Sequence, residues 1–194
     1  MNTRPTWNAI AFVLLLLAQD WGSTTSAQEQ AETTASDRFQ IAVSRYVSLH
    51  RAIERFVPPI KNVTDPLEAK RSMIAMSEAI RKARWSVTEG NVFMGQVAIG
   101  IHNTLTTAIR NADPACQRAL SDILQSPADT WSETVNDAFP WALSRMLPSC
   151  VQDALPELPI ELQYRVVGAD LVLVDLHANL SVDILRGAFP LAPR

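Results

Sequence analysis

Apolar residues recur every three or four positions over the first two-thirds of the chain and alternate with polar residues near its C-terminus. From Asp37 the helical spacing predicts an amphipathic helix. This helix is expected to end at Pro58-Pro59, because proline cannot supply the amide hydrogen that a helix needs. Its predicted inward stripe is Phe39, Ala42, Val43, Tyr46, Leu49, Ile53, Phe56 and Val57.

Two aspartate–proline pairs predict further helix starts. Asp65-Pro66-Leu67-Glu68 combines an N-cap acid, a first-turn proline and a glutamate at the capping-box position. Asp113-Pro114 predicts another start, and the apolar spacing between the two pairs predicts a helix over 94–112. Residues from Ala128 to Phe139 are expected to form a fifth, short helix. The predicted inward face of the second helix is Leu67, Met73, Ile74, Met76, Ile80, Ala83 and Trp85.

In the C-terminal part of the chain the spacing of apolar residues changes to every second position. Residues 162–167 alternate in polarity, and Gly168-Ala169 separates them from Asp170–Leu176, which is typical of a tight hairpin. His177-Ala178-Asn179 predicts a second turn before Leu180–Leu185. We therefore expect a three-stranded antiparallel meander covered by the helices, and an α+β fold.

The domain organisation follows from these elements. Residues 37–194 are predicted to form one α+β domain, made of a helical part (37–140), a proline-rich connector (141–160) and the meander (161–186). The connector is expected to be largely extended, with one helical turn near Leu143–Leu147, and to lie against the helices. Residues 28–36 are small and polar without periodicity, which predicts a disordered leader.

The N-terminus has the pattern of a secretory signal peptide. Arg4 precedes a wholly apolar run from Ala9 to Ala18, which is shorter than the roughly 20 apolar residues of a membrane-spanning helix. Thr25-Ser26-Ala27 offers small residues for a signal peptidase, so residues 1–27 are predicted to be removed and the protein to be periplasmic or secreted. The alternative is an uncleaved anchor. No cysteine directly follows the run, which excludes a lipoprotein.

The two cysteines are Cys116 and Cys150. An exported protein meets oxidising conditions, in which an even cysteine count favours a disulfide. The alternative is a pair of buried free thiols.

The net charge of −3 argues against a nucleic-acid-binding protein and against a polybasic membrane-surface protein. One segment departs from this slightly acidic composition, because the second predicted helix carries five basic residues. Such a group can contact anionic lipid or polymer, although basic helix residues more often form a solvated face. The five are Lys70, Arg71, Arg81, Lys82 and Arg84.

Three segments carry a resemblance to known proteins. They are Glu89-Gly90-Asn91-Val92-Phe93 before a helix, residues 135–140, and the run PELPIELQYRVVGADLVLVDLHANLSVDIL followed by Ala188-Phe189-Pro190. Through them the chain from Ala83 onward resembles an uncharacterised family of small exported bacterial proteins of unknown function. The resemblance implies a bacterial exported protein with a helical body and a terminal hairpin, and it implies no activity.

No established catalytic, cofactor or metal motif is present in the sequence, so none of these is predicted. The candidate binding residues are Asp175, His177 and Asp183. Asp175 and His177 are two apart at a strand end, so they are expected to face the same side, and Asp183 is expected across the turn. Such a pair binds a metal or orients an imidazole, or else forms a solvated hairpin tip. His50 and His102 are expected to be partly buried helix residues rather than ligands.

Large aromatic and methionine side chains are expected to form the core. The alternative is an apolar groove for lipid or peptide. The residues concerned are Trp85, Phe93, Met94, Trp131, Phe139, Trp141 and Met146.

The leading functional hypothesis is a non-catalytic binding or interaction protein of the cell envelope, whose partner is an envelope protein or an apolar ligand. One alternative is a hydrolase-like envelope enzyme with a site near the C-terminal hairpin. The other is a structural or assembly factor that contacts the membrane surface through the basic helix. No nucleic acid is expected as a partner, and after cleavage the chain is not expected to be an integral membrane protein.

Overall fold

The computed structural model describes residues 23–59, 65–125, 132 and 134–189. The apolar run Ala9–Ala18 and Trp131 lie outside these residues. Within them, no helix combines the length and the apolar character needed to span a membrane. In the described part of the chain five helices precede three strands, which confirms the α+β class: α1 Ser23–Glu54, α2 Pro66–Ala83, α3 Gln96–Asn111, α4 Pro114–Leu124, α5 Ser149–Gln152, β1 Leu162–Val167, β2 Asp170–Asp175 and β3 Leu180–Leu185.

The two aspartate–proline pairs start helices as the sequence predicts. The Asp65 carboxylate accepts a hydrogen bond from the amide of Leu67 at 2.8 Å. The Asp113 carboxylate accepts from the amides of Ala115 and Cys116, each at 2.8 Å. Each cap satisfies amide hydrogens that the first helical turn leaves without a partner.

Helix α1 begins much earlier than its apolar stripe suggests. Residues 28–36, predicted to be a disordered leader, continue the helix that begins at Ser23. This segment is rich in alanine, glutamine and glutamate, which have high helix propensity even without an apolar face. At its end Ala35 is buried, and a Cβ added to Gly100 of α3 would lie 3.3 Å from the Ala35 Cβ.

The predicted helix from Ala128 to Phe139 is absent from its described part. Residues 134–139 form a turn and a bend, and Ala138 pairs with Leu180 in an isolated bridge. Asn136 has a φ of 69°, a left-handed conformation that interrupts a right-handed helix. The fifth helix is instead the single turn α5, which lies after the turn expected near Leu143–Leu147.

The sheet is the predicted antiparallel meander, in the order β1-β2-β3. Val167 pairs with Asp170, so Gly168 and Ala169 form a two-residue turn. Gly168 has a φ of 59°, as the first central position of a type II′ turn requires. A β-bulge interrupts the pairing of β2 with β3 between Leu173 and Val174.

Both faces of the sheet are covered. On one face, Leu171 and Leu173 of β2 join the main core cluster with Phe39 of α1 and Met76 of α2. On the other face, Val172, Val174 and Ile184 pack with Phe139 and Leu143, which belong to the chain between α4 and α5. This double cover explains why every residue of β3 is buried.

A disulfide joins Cys116 of α4 to Cys150 of α5, with the two Cα atoms 6.4 Å apart. Helix α5 and the residues after it pack against the other helices, because Val151 and Leu155 belong to the main core cluster. The bond therefore fixes the proline-rich segment to the helical layer.

Replacing both cysteines with alanine is expected to lower the free energy of unfolding by about 3–4 kcal/mol, because the bond closes a loop of 34 residues in the unfolded chain. Urea denaturation followed by circular dichroism measures this loss. Wild-type protein under reducing conditions is the control and should give the same midpoint as the double variant. Equal midpoints for the oxidised wild type and the variant would contradict a stabilising bond.

Candidate functional site

The C-terminal end of α1 meets the turn between β2 and β3. Tyr46 and His50 are four residues apart, so they share the inward face of α1, and both are buried. Their side chains reach Asp175, the last residue of β2. The site is therefore held between a helix and a strand end that are more than one hundred residues apart in sequence.

Asp175 is fully buried and accepts three hydrogen bonds. Its Oδ2 atom accepts from the Tyr46 hydroxyl and pairs with His50 Nδ1, each at 2.6 Å. Its Oδ1 atom accepts from the amide of Ala178 at 2.7 Å. Because a carboxylate only accepts, the proton of neutral His50 is on Nδ1, and its Nε2 atom has a free lone pair.

The charge of Asp175 shapes its neighbours. Burial, together with the charge and hydrogen bond of Asp175, raises the pKa of Tyr46 well above its ordinary value, so the phenol stays a donor. Burial lowers the pKa of His50, but the hydrogen bond and charge of Asp175 outweigh it and the net pKa is raised. Burial lowers the pKa of Arg84, whose guanidinium lies 4.9 Å from the centre of the Tyr46 ring. Arg84 is thus buried, unlike the solvated basic residue expected from the sequence.

His177 lies next to His50, and the two rings meet edge to face with their centres 5.9 Å apart. The His177 Nδ1 atom is 3.1 Å from Glu54 Oε1. The Nε2 atom is 2.9 Å from Ser72 Oγ on α2, and the Ser72 hydroxyl donates to the Pro58 carbonyl. His177 therefore connects the end of α1 with α2.

Three groups at this point could hold a metal ion. Nitrogen atoms of His50 and His177 and a carboxylate oxygen of Glu54 all lie within 4.8 Å of one another, and His50 Nε2 is 3.9 Å from Glu54 Oε2. Tetrahedral zinc ligands at about 2.0–2.1 Å from the ion are about 3.3 Å apart. The three side chains would therefore need to move together by about 1 Å to ligate zinc.

Both histidines have an oxygen acceptor on the ring nitrogen away from this point. The Asp175 carboxylate is hydrogen-bonded to Nδ1 of His50, and the Ser72 oxygen is hydrogen-bonded to Nε2 of His177. In metal sites such outer partners fix the tautomer and the orientation of the ligating imidazole. His50 Nε2 and His177 Nδ1 are thus the nitrogens presented to an ion.

Ser72, His177 and Glu54 also have the order of contacts of a serine–histidine–acid triad. Ser72, however, is fully buried and its hydroxyl is donated to the Pro58 carbonyl. A nucleophilic oxygen must be reachable by the substrate and must give its proton to the base. The arrangement therefore favours a supporting role for Ser72 over nucleophilic catalysis.

Asp183 does not join His177, although the sequence placed it across the same turn. Its carboxylate accepts from the amides of Gly90, Val92 and Phe93 at 2.9, 2.6 and 2.7 Å. The β-bulge between Leu173 and Val174 separates Asp183 from the end of β2, where Asp175 lies. Asp183 thus anchors the loop before α3, whereas Asp175 and His177 contribute to the site.

Four members of this site were not predicted from the sequence: His50, Glu54, Tyr46 and Ser72. One signal was readable, since His50 and Glu54 are four residues apart and so face the same side of α1. His102, the other helical histidine, lies on α3 and does not belong to the group of possible ligands.

The large side chains expected in the core divide into two groups. Phe93 and Phe139 are buried, as predicted. The prediction is wrong for four residues with exposed side chains, which are Trp85, Met94, Trp141 and Met146. Trp141 has other partners at the surface, because its indole donates to Asn179 and Arg165 lies over its ring.

Comparisons of the chain with protein-family models, with curated proteins and with solved structures gave no match. Since a fold class alone does not define a function, the contacts of His50, Glu54 and His177 are the basis for assigning one.

Proposed function

We propose that this chain is an exported, metal-binding protein of the cell envelope, and that its ligand is a divalent transition-metal ion, with zinc the best fit. One observation carries the proposal: His50, Glu54 and His177 place three ligand atoms within 4.8 Å of one another, and each histidine is held by an outer acceptor. The sequence alone predicted no metal, because these ligands come from distant segments.

The donor set favours zinc over calcium or magnesium. Two imidazole nitrogens and one carboxylate form the three-ligand set of many zinc sites, in which water or another ligand completes the tetrahedron. Calcium and magnesium prefer oxygen ligands. The Glu54 side chain is 46% exposed, so an ion can enter from the solvent side.

The surroundings reduce the cost of forming the site. Asp175 holds His50 and is itself held by Tyr46 and Ala178. Ser72 holds His177 and is itself fixed by Pro58. Less side-chain entropy is lost when ligands are already ordered, so the preorganised histidines support tight binding.

Export is supported by the signal-peptide pattern, by the resemblance to exported bacterial proteins and by the disulfide, since stable disulfides are typical of oxidising compartments. A metal-binding role is favoured over serine catalysis, because Ser72, the hydroxyl group that contacts His177, is fully buried.

Equilibrium dialysis against zinc, followed by elemental analysis, tests the proposal. We expect one zinc ion per wild-type chain and a loss of affinity of at least about 100-fold for His177→Ala, because two remaining ligands hold zinc weakly. His102→Ala is the matched control and should bind as the wild type does. Urea midpoints of all variants establish that they are folded. No zinc binding by the folded wild type, or equal loss in His102→Ala, would refute the site.

A hydrolase is the second candidate, favoured by the contacts of Ser72 and Glu54 with His177 at 2.9 and 3.1 Å. Ser72→Ala and a fluorophosphonate probe separate the two. For a zinc site we expect no labelling of the wild type and a zinc affinity about 10–100-fold lower in the variant, as for lost outer partners. Labelling of Ser72 that Ser72→Ala and His177→Ala both abolish would establish the hydrolase instead.

A further inference from the structure

Exposed apolar residues lie on the outer face of α2 and just past its C-terminal end. Leu67 and Ile74 of α2 are seven residues apart, close to two turns of a helix with 3.6 residues per turn, and Trp85 lies two residues past the end of α2. Their side chains are 63%, 41% and 83% exposed. Met76 and Ile80, on the opposite face, are fully buried. The sequence had placed all three exposed residues on the inward face.

Four basic residues lie between these apolar residues in sequence. Lys70 and Arg71 lie between Leu67 and Ile74, and Arg81 and Lys82 lie between Ile74 and Trp85. All four are exposed, and in the described part of the chain none forms an ion pair. Arg81 donates one hydrogen bond to the Asn136 carbonyl. With the exposed Glu68 and Glu78 counted, α2 carries four basic and two acidic side chains and has a net charge of +2, although the whole chain has a net charge of −3.

We propose that this face of α2 docks the protein onto the surface of an anionic phospholipid bilayer. Interfacial helices insert tryptophan and leucine between the headgroups and the acyl chains, while lysine and arginine reach the lipid phosphates. Leu67 and Ile74 on α2, Trp85 just after it and the four basic residues between them in sequence match this division. A nucleic acid would pair with the cations but would leave the apolar residues in water, so a lipid surface fits better.

The docking face and the metal site lie on different sides of α2. Ser72, the residue of α2 that contacts His177, is on its buried face. Membrane docking would therefore leave the contacts of the site unchanged. The two proposals are independent, and a variant of the docking face should retain its zinc affinity.

Flotation with lipid vesicles tests the docking face, using the protein as it is recovered after export. One vesicle type contains phosphatidylcholine alone and the other contains phosphatidylcholine with phosphatidylglycerol. We expect binding to the second type only, weakening as salt rises. The triple variant Lys70→Glu, Arg71→Glu, Lys82→Glu should lose at least about 100-fold in affinity, since each basic residue near such a surface contributes about fivefold. Trp85→Ser should weaken binding without changing the net charge.

The matched control is the triple variant Arg38→Glu, Arg45→Glu, Arg118→Glu. It changes the net charge by the same amount at exposed positions of α1 and α4, and it should lose far less affinity. Equal loss in both triple variants would assign the binding to overall charge and overturn the proposal. Absence of binding, binding to neutral vesicles that survives Trp85→Ser, or salt-dependent binding of RNA in place of vesicles would overturn it too.

Discussion

Replacing Asp183 with asparagine is expected to destabilise the fold by about 3–5 kcal/mol, a large fraction of the 5–15 kcal/mol typical of a single domain. Both carboxylate oxygens accept backbone amides: Oδ1 binds Gly90, and Oδ2 binds Val92 and Phe93. An asparagine presents one oxygen and one amide group, so at least one buried amide would face another donor. The variant also removes a negative charge that acts on buried Arg84.

Urea denaturation of Asp183→Asn and of Asp122→Asn measures this effect. Asp122 is exposed on α4, and its replacement should change the free energy of unfolding by less than about 0.5 kcal/mol. Hydrogen exchange should quicken at Val92 and Phe93 in the Asp183 variant, since these amides lose their acceptor. Equal stability of the two variants would mean that the loop before α3 does not depend on Asp183.

The sheet could be predicted from the sequence because its signals are local. Each strand is short, and the turn residues Gly168-Ala169 and 177–179 lie between runs with a period of two. The packing of the segment between α4 and α5 on the second face of the sheet could not be predicted in this way. Phe139 and Leu143 pack on Val172 and Val174, and the spacing of apolar residues does not state which surface they will cover.

Helix starts with a local chemical cause were also predictable. Asp65 and Asp113 cap α2 and α4 through their own neighbours. The helix expected over 128–139 failed in its described part because Asn136 and Asp137 form backbone hydrogen bonds with Ser181 of β3. Such tertiary pairing overrides helical spacing, and a single sequence gives no sign of it.

The site could be predicted only in part. Asp175 and His177 were found because they are two residues apart, and His50 and Glu54 are close enough to have been found. Contacts between distant segments could not be read, because 105 residues separate Ser72 from His177 and 123 separate Glu54 from His177. Trp85 was misplaced for a different reason: it follows the end of α2, where helical spacing no longer states which way a side chain points.

Asp175→Asn is expected to weaken both the fold and the metal site. If the asparagine oxygen replaces Oδ2, the amide nitrogen faces the amide of Ala178. If it replaces Oδ1, the amide nitrogen faces the donors Tyr46 and His50. Each orientation loses at least one buried hydrogen bond and the charge that all three donors share. We expect a loss of about 3 kcal/mol in the free energy of unfolding.

The second effect of this variant follows from the proton of His50. The carboxylate keeps that proton on Nδ1 and leaves Nε2 for the ion. With the amide nitrogen turned toward His50, the imidazole would accept at Nδ1 and carry its proton on Nε2, a tautomer that cannot ligate through that atom. Zinc affinity is therefore expected to fall about 10–100-fold.

Tyr46→Phe is the matched control for Asp175→Asn, because it removes one hydrogen bond from the same carboxylate but leaves its charge and its contact with His50. We expect a loss of about 1–2 kcal/mol in stability and a smaller change in zinc affinity than in Asp175→Asn. Calorimetric titration with zinc and urea denaturation of both variants separate the two roles. A folded Asp175→Asn protein that binds zinc as tightly as the wild type would mean that Asp175 serves the fold alone. A drop in affinity beyond that of Tyr46→Phe is the result expected if Asp175 orients His50 toward the ion.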